Sequence, residues 1–313
     1  MIIMIDLHLH LDGSLRPETV WELLTERGIN DFADMDALKE FLQAPYDCKN
    51  LNEYLKCFDL PIKVLQTEQE IIRNVKELCE TLGRQKVQYG EIRFAPMFSM
   101  KEGLSMEAVV EAAIEGVRMG EKEAGIKAEL ILCCMRGATE ADNMETVECA
   151  KRYYGNKVCA LDLAGAEGLF PTELYEEVFK KASKYDIPFT IHAGEAAGPE
   201  SIRKALSYGA ARIGHGVRCV EDEALMEELA KKEIPLEVCP TSNMQTKVFG
   251  SVNEYPLKTI LARGVHATLN TDNMTVSGTD LAREKSFCID TLKLTEKDIE
   301  LMSQYSIKAA FNY

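Results

Sequence analysis

The sequence predicts an α/β fold: a closed (β/α)8 TIM barrel with a helical insertion after the first strand. Three observations carry this reading. Short apolar, β-rich runs recur eight times. Charged, amphipathic stretches of helical periodicity separate them. The chain has 313 residues, enough for one barrel of ~250 residues and a surplus. Eightfold alternation points to a closed barrel. An open doubly wound sheet is the alternative, because the sixth run is short.

The β-rich runs cover residues 2–7, 89–95, 128–135, 157–164, 187–191, 211–214, 235–239 and 265–269. Helical patterns occupy 106–123, 172–184, 199–207 and 221–232, among others. Thr172 and Pro199 suit helix starts, and Gly209 and Gly264 suit helix stops. The surplus lies between the first two runs, where 17–27, 35–42, 51–58 and 67–86 are helical in pattern. An insertion there, about 17–86, would overlie the C-terminal mouth of the barrel, where barrel chemistry occurs. No linker, low-complexity tract or repeat marks a second domain, so 1–313 reads as one.

Composition narrows the function classes. A net charge of −15 argues against nucleic acid or an anionic membrane surface as partner. Residues 1–5 are apolar but too short and uncharged for a signal peptide. No apolar run approaches the ~20 residues of a membrane helix. A soluble, acidic, cytoplasmic protein is expected. Its ten cysteines include no C-x-x-C pair, and Cys133 and Cys134 face opposite ways on one strand. They are expected as free, buried thiols in a reducing compartment.

The histidines carry the chemistry. There are only five, and two form His8-Leu9-His10 at the end of the first run. The two-residue period of a strand points both imidazoles the same way. His192 and His215 stand at the C-terminal ends of the fifth and sixth runs, followed by small residues. His266 lies near the start of the last run, so it is expected at the barrel bottom as a structural residue. Asp272 follows the eighth run. His8, His10, His192 and Asp272 would form a site of three nitrogens and one oxygen. That set suits Zn2+, with Fe2+ and Mn2+ as the other candidates. A lone strand-end histidine is more often packed than ligating, and a lone aspartate there more often caps a helix. Their recurrence on one rim favours the site.

Six segments then carry a resemblance. They are His8-Leu9-His10-Leu11-Asp12-Gly13-Ser14, Leu161-Asp162-Leu163-Ala164-Gly165, His192-Ala193-Gly194-Glu195, Gly214-His215-Gly216, Cys239-Pro240-Thr241-Ser242-Asn243 and Asn270-Thr271-Asp272. Nearly end to end, the chain resembles the adenosine deaminase family of the metal-dependent amidohydrolases. The His-x-Glu and Pro-Cys-x-x-Cys pattern of the other zinc deaminases is absent. The resemblance implies one Zn2+ per chain, held by His8, His10, His192 and Asp272, which lowers the pKa of a water to ~7. It implies Glu195 as proton donor to purine N1, His215 as the residue that orients the water, and Asp272 as acceptor of its proton. His10 then also borders the substrate, Asp12 holds the ribose 5′-hydroxyl, and the Gly165 N–H meets purine N3. The rival readings are a helix-start carboxylate for Glu195, a loop histidine for His215, and turn roles for Asp12 and Gly165.

Leu51, Tyr54, Leu55 and Phe58 share one helical face. That pattern fits an ordinary core stripe, and by resemblance a lid over the purine. Met135, at the end of the third strand, is expected beside the pocket. One position departs from the familiar pattern: Asp272-Asn273-Met274 stands where many relatives have two aspartates and a proline. The second acid contacts purine N7, an acceptor, and an Asn amide can donate to it at any pH.

The implied function is zinc-dependent deamination of adenosine and 2′-deoxyadenosine to inosine in purine salvage, with a purine nucleoside as partner. The nearest alternative is a deaminase of another 6-aminopurine: adenine, N6-methyl-AMP or an aminodeoxyfutalosine type. An alternative of another class is a catalytically inactive nucleoside-binding barrel. A panel of substrates with ammonia release separates them.

Overall fold

Ile5, Leu7 and Leu9 alternate with Asp6, His8 and His10, and this period of two places both sets on opposite faces of β1 (Ile5–His10). In the computed structural model, which describes residues 2–29 and 31–313, seven further strands follow. They are β2 (Tyr89–Phe94), β3 (Lys127–Met135), β4 (Val158–Ala164), β5 (Thr190–Ala193), β6 (Arg212–His215), β7 (Leu236–Val238) and β8 (Ala267–Leu269). All pairings are parallel, in the orders β1-β2-β3-β4 and β5-β6-β7-β8. Two bridges join these halves, Leu161 with Phe189 and Leu9 with Asp272. At the second, His10 N donates to Asp272 O at 2.7 Å and Asp272 N donates to His8 O at 2.8 Å. The sheet therefore closes on itself as a (β/α)8 barrel.

Several strands sit one to three residues later than their apolar runs suggest. β1 includes both His8 and His10, β5 includes His192 and β6 includes His215. The physical reason at β5 is Pro188, which has no N–H for the ladder.

Between β1 and β2 lie α1 (Pro17–Glu26), α2 (Met35–Leu42), α3 (Leu51–Tyr54) and α4 (Glu68–Arg84). The α3 segment continues as a 3-10 turn over Leu55–Phe58, so the stripe of Leu51, Tyr54, Leu55 and Phe58 spans two helical forms. α4 starts at a capping box in which Thr67 and Glu70 satisfy each other's backbone N–H groups. It packs along α5 (Met106–Ala124) in the outer ring. That ring continues through α6 (Glu140–Tyr153), α7 (Glu176–Lys184), α8 (Pro199–Tyr208) and α9 (Glu223–Lys231). Gly209, at φ 92°, ends α8. Late in the chain, α10 (Pro240–Gln245), α11 (Leu257–Ala262), α12 (Met274–Ser277) and α13 (Leu281–Ser286) precede α14 (Glu296–Ala309), which packs on β1 and β8.

The main apolar core lies between barrel and helices. The barrel interior is charged instead. Glu237 accepts from His8 Nδ1 at 2.8 Å, Arg93 Nη2 at 2.9 Å and Arg212 Nε at 2.5 Å. Arg212 also reaches Glu91 and the Ala309 carbonyl, and the Phe311 ring lies 3.8 Å from its guanidinium carbon. The chain's end thus plugs the barrel bottom. His266 is also at that end, stacked on Tyr305 with ring centroids 3.9 Å apart. All ten cysteines are free and buried. Among the described residues no helix is long and apolar enough to cross a membrane.

Candidate active site

At the C-terminal mouth the strands deliver their polar ends to one point. His8 Nε2 and His10 Nε2 each lie 3.4 Å from Asp272 Oδ1, and His10 Nε2 lies 3.2 Å from His192 Nε2. The ligand atoms of His8, His192, His215 and Asp272 lie within 4.8 Å of one another. Five sequence-derived residues, from β1, β5, β6 and the segment after β8, are therefore brought together. Their backbones carry strain: His215 and Asp272 have φ of 59° and 60°, in the left-handed region that non-glycine residues seldom adopt.

Hydrogen bonds behind the rings set their tautomers. His8 Nδ1 faces Glu237 Oε2 at 2.8 Å, and His192 Nδ1 faces Asp162 Oδ2 at 3.0 Å. Each carboxylate takes the Nδ1 hydrogen and leaves an Nε2 lone pair for the centre. His8 Nε2 is buried with no hydrogen-bond partner. Burial pushes the pKa of His10 and His192 down, so both rings are neutral near pH 7. His215 is arranged in the opposite sense. Tyr255 hydroxyl donates to Asn243 Oδ1 at 2.9 Å, which turns the Asn243 amide nitrogen toward His215 Nδ1 at 3.0 Å. His215 Nδ1 therefore accepts, and its proton sits on Nε2. That Nε2 is 3.6 Å from Glu195 Oε2.

Glu195 is buried and accepts from Thr246 Oγ1 at 3.1 Å. Burial, then the charges of Asp272 and Glu167, raise its pKa well above the usual carboxylate range.

These groups open on a cavity of about 320 Å³. Of the predicted substrate-facing residues, His10, Asp12, Leu51, Tyr54, Leu55, Phe58, Met135, Gly165 and Asn273 all line it. Tyr54 anchors its segment by a 2.6 Å hydrogen bond with Ser277, just beyond β8. Burial pushes the Asp12 carboxyl up to about 7, and its Oδ1 has no partner. Gly165 has φ 103°, which a side chain would strain. Gly13 is required differently, since a Cβ there would lie 1.8 Å from Asn273 Oδ1. That buried oxygen has no partner, and the amide nitrogen is the opposite end of the same planar group.

Several residues around the site had no role in the sequence reading: Asp162, Glu237, Arg93, Arg136 and Glu167. Four of them were signalled by being charged residues within or at the end of apolar strand runs. Glu167 had no such signal, because it lies in a loop.

A parallel eight-stranded barrel with imidazole and carboxylate donors at its mouth defines the class, an amidohydrolase-type barrel with a buried group able to hold a metal ion. Residues 4–312 match the adenosine deaminase family model. The adenosine deaminase of Haemophilus ducreyi is 47% identical, over 98% of this chain and 91% of that protein. The one from Clostridium kluyveri is 39% identical, over 98% and 88%. Among solved structures, the adenine deaminase from Arthrobacter aurescens superimposes with a TM-score of 0.92 at 25% identity, covering 100% of this chain and 95% of that one. The N6-methyl-AMP deaminase from Arabidopsis thaliana does so at 0.85 and 29%, covering 100% and 93%. The chain belongs to the adenosine deaminase family.

Proposed function

We propose that this chain hydrolytically deaminates adenosine and 2′-deoxyadenosine to inosine and 2′-deoxyinosine, releasing ammonia. The observation that carries the reading is one cavity in which a buried Glu195, its carboxyl pushed up by burial, faces a cluster of imidazole and carboxylate donors. The donors fit a zinc ion: the His8 and His192 rings with Nδ1 turned to Glu237 and Asp162, an orphaned His8 Nε2, the His10 ring, and the Asp272 carboxylate. We assign His8, His10, His192 and Asp272 as its ligands, one ion per chain. His215 is left out because its Nδ1 accepts from Asn243 and its Nε2 carries a proton. When bound, zinc supplies the lowered water pKa, about 7, that hydrolysis at neutral pH needs.

The protein's own groups do the rest. The purine lies with N3 at the Gly165 N–H and N7 at the Asn273 amide nitrogen, and its ribose 5′-hydroxyl meets Asp12. Leu51, Tyr54, Leu55 and Phe58 cover the ring as a lid within a single barrel domain and exclude water, and Met135 completes the pocket wall. Water oxygen adds to C6 while Glu195 gives its proton to N1, so the ring gains no net charge. Asp272 takes the water proton. His215 donates from Nε2 to the attacking oxygen and stabilises its charge. Asp272 then passes the water proton to the 6-amino group, which leaves as ammonia, and the C6 hydroxyl proton returns to Glu195 as the 6-oxo product forms. The reading includes a cytoplasmic setting in purine salvage, consistent with ten buried free thiols.

A second reading, deamination of a 6-aminopurine nucleotide, draws on Lys101 at the cavity wall. Asp12 opposes it, because an unpartnered carboxyl repels phosphate once ionised. The test is ammonia release from adenosine, 2′-deoxyadenosine, adenine, AMP and N6-methyl-AMP. Adenosine is expected to have the highest kcat/KM, and preference for a nucleotide or a free base would overturn the assignment.

A further inference from the structure

Glu167 lies two residues beyond Gly165, in the loop that leaves β4. It is 1% exposed, and its carboxylate accepts five hydrogen bonds. Oε1 accepts from Gly194 N–H at 2.8 Å and Ser201 hydroxyl at 2.6 Å. Oε2 accepts from the N–H groups of Glu195 at 3.1 Å, Ala196 at 2.7 Å and Ala197 at 2.9 Å. Four consecutive amides of the loop that carries Glu195 therefore converge on one side chain from the neighbouring loop. Glu195 is flanked there by Gly194, Ala196, Ala197 and Gly198, so side-chain packing gives the loop little support of its own.

The ends of this bridge face the same half of the purine. Gly165 is assigned to N3 and Glu195 to N1, two ring atoms with a single carbon between them. The spacing of the two loops thus decides whether both contacts form at once. The bridge is also anchored from behind. Ser201 hydroxyl lies 2.8 Å from that of Thr172, and Arg136 Nη2 donates to Thr172 Oγ1 at 3.0 Å and to the His192 carbonyl at 2.6 Å. The strand that carries His192 belongs to the same framework.

We infer that Glu167 is a positioning residue, a carboxylate strut that fixes the Glu195 loop against the Gly165 loop so that the proton donor meets N1 while N3 is held. This inference rests on the reading of Glu195 as the proton donor. The rival is a purely structural role, satisfying loop amides ahead of α8.

Glu167→Gln separates the two. It keeps the shape but puts an NH2 where N–H and hydroxyl donors already point, whichever way the amide turns. Misplacement of Glu195 is expected to lower kcat on adenosine about 10–100-fold, the scale of a catalytic group displaced by up to an ångström. KM and the dissociation constant for inosine should move less than about threefold. Amide exchange at 194–197 should accelerate by about tenfold or more. The decisive measurement is a cycle with Glu195→Gln. If Glu167 acts through Glu195, adding E167Q to E195Q costs less than about twofold in kcat. A full multiplicative loss in that background, or a wild-type kcat for E167Q alone, overturns the strut. A wild-type kcat for E195Q alone overturns the proton-donor reading instead. If E167Q does not fold, E167D keeps the charge but falls one methylene short, and the same cycle is read on it: an intermediate loss that vanishes with E195Q supports the strut, and one that persists overturns it.

Discussion

Glu237→Gln probes the charged barrel interior. Glu237 is completely buried and serves three donors: His8 Nδ1, Arg93 Nη2 and Arg212 Nε. Neutralising it leaves Arg93 with Asp162 and Arg212 with Glu91. Two guanidinium groups then share less negative charge than they were built around, and the new NH2 faces at least one N–H donor. Breaking a buried ion pair costs about 3–5 kcal/mol. At about 2.1 cal/mol/K per residue, a 313-residue chain unfolds with an entropy of roughly 0.66 kcal/mol/K. The Tm of metal-free protein should therefore fall by about 5–8 °C. The same change removes the acceptor that fixes the His8 tautomer, so metal affinity should fall about 10–100-fold. Calorimetry on metal-free protein reads the first effect, and competition with a chromogenic chelator reads the second. A Tm within about 2 °C of wild type with affinity within about twofold would refute the reasoning, because both follow from the same three hydrogen bonds.

Four further outcomes are expected. His8→Ala and Asp272→Ala should each purify with little bound metal by elemental analysis and show no turnover, and full activity in either would remove them from the ligand set. As the proposed proton donor Glu195 would act in its protonated form, and its pKa is raised, so kcat should hold at lower pH and fall as pH rises through that pKa. This limb should vanish in Glu195→Gln, and its survival there would assign it to another group. Glu284 is buried, and burial raises its pKa from 4.5 to about 7. The folded state then binds the extra proton, so its contribution is complete below about pH 4.5 and is lost as pH rises to about 7, a change of roughly 3 kcal/mol. Glu284→Gln should flatten that slope in denaturant titrations at pH 5 and pH 8, and an unchanged slope would point to another carboxyl. Finally, 7-deazaadenosine should lose about 1–3 kcal/mol in kcat/KM if Asn273 donates to N7, and Asn273→Ala should erase most of that discrimination. Equal discrimination in both proteins would mean that Asn273 makes no such contact.

The barrel was legible because short β-rich runs recur between amphipathic helical stretches, even though several strands turn charged residues into the interior. The donor cluster was legible because strand ends converge at one rim, so five residues scattered over the chain could be tied to one place. Exact strand limits were less so. An apolar run marks burial, whereas a strand is set by ladder hydrogen bonds; Pro188 delays β5, and β6 ends at the left-handed His215. The supports behind the site stayed hidden for another reason. Glu237, Arg93 and Arg212 lie far apart in sequence and are intelligible only as partners inside a closed barrel. Glu167 gave no periodic signal, because loop carboxylates are usually solvated.

The barrel seam has a consequence for synthesis. His8 and His10 emerge from the ribosome long before Asp272, with which their backbones pair. A product of interrupted translation that stops before Asp272 carries both early histidines without the strand that completes their surroundings. The donor cluster therefore forms only in a product that reaches Asp272 and closes the seam.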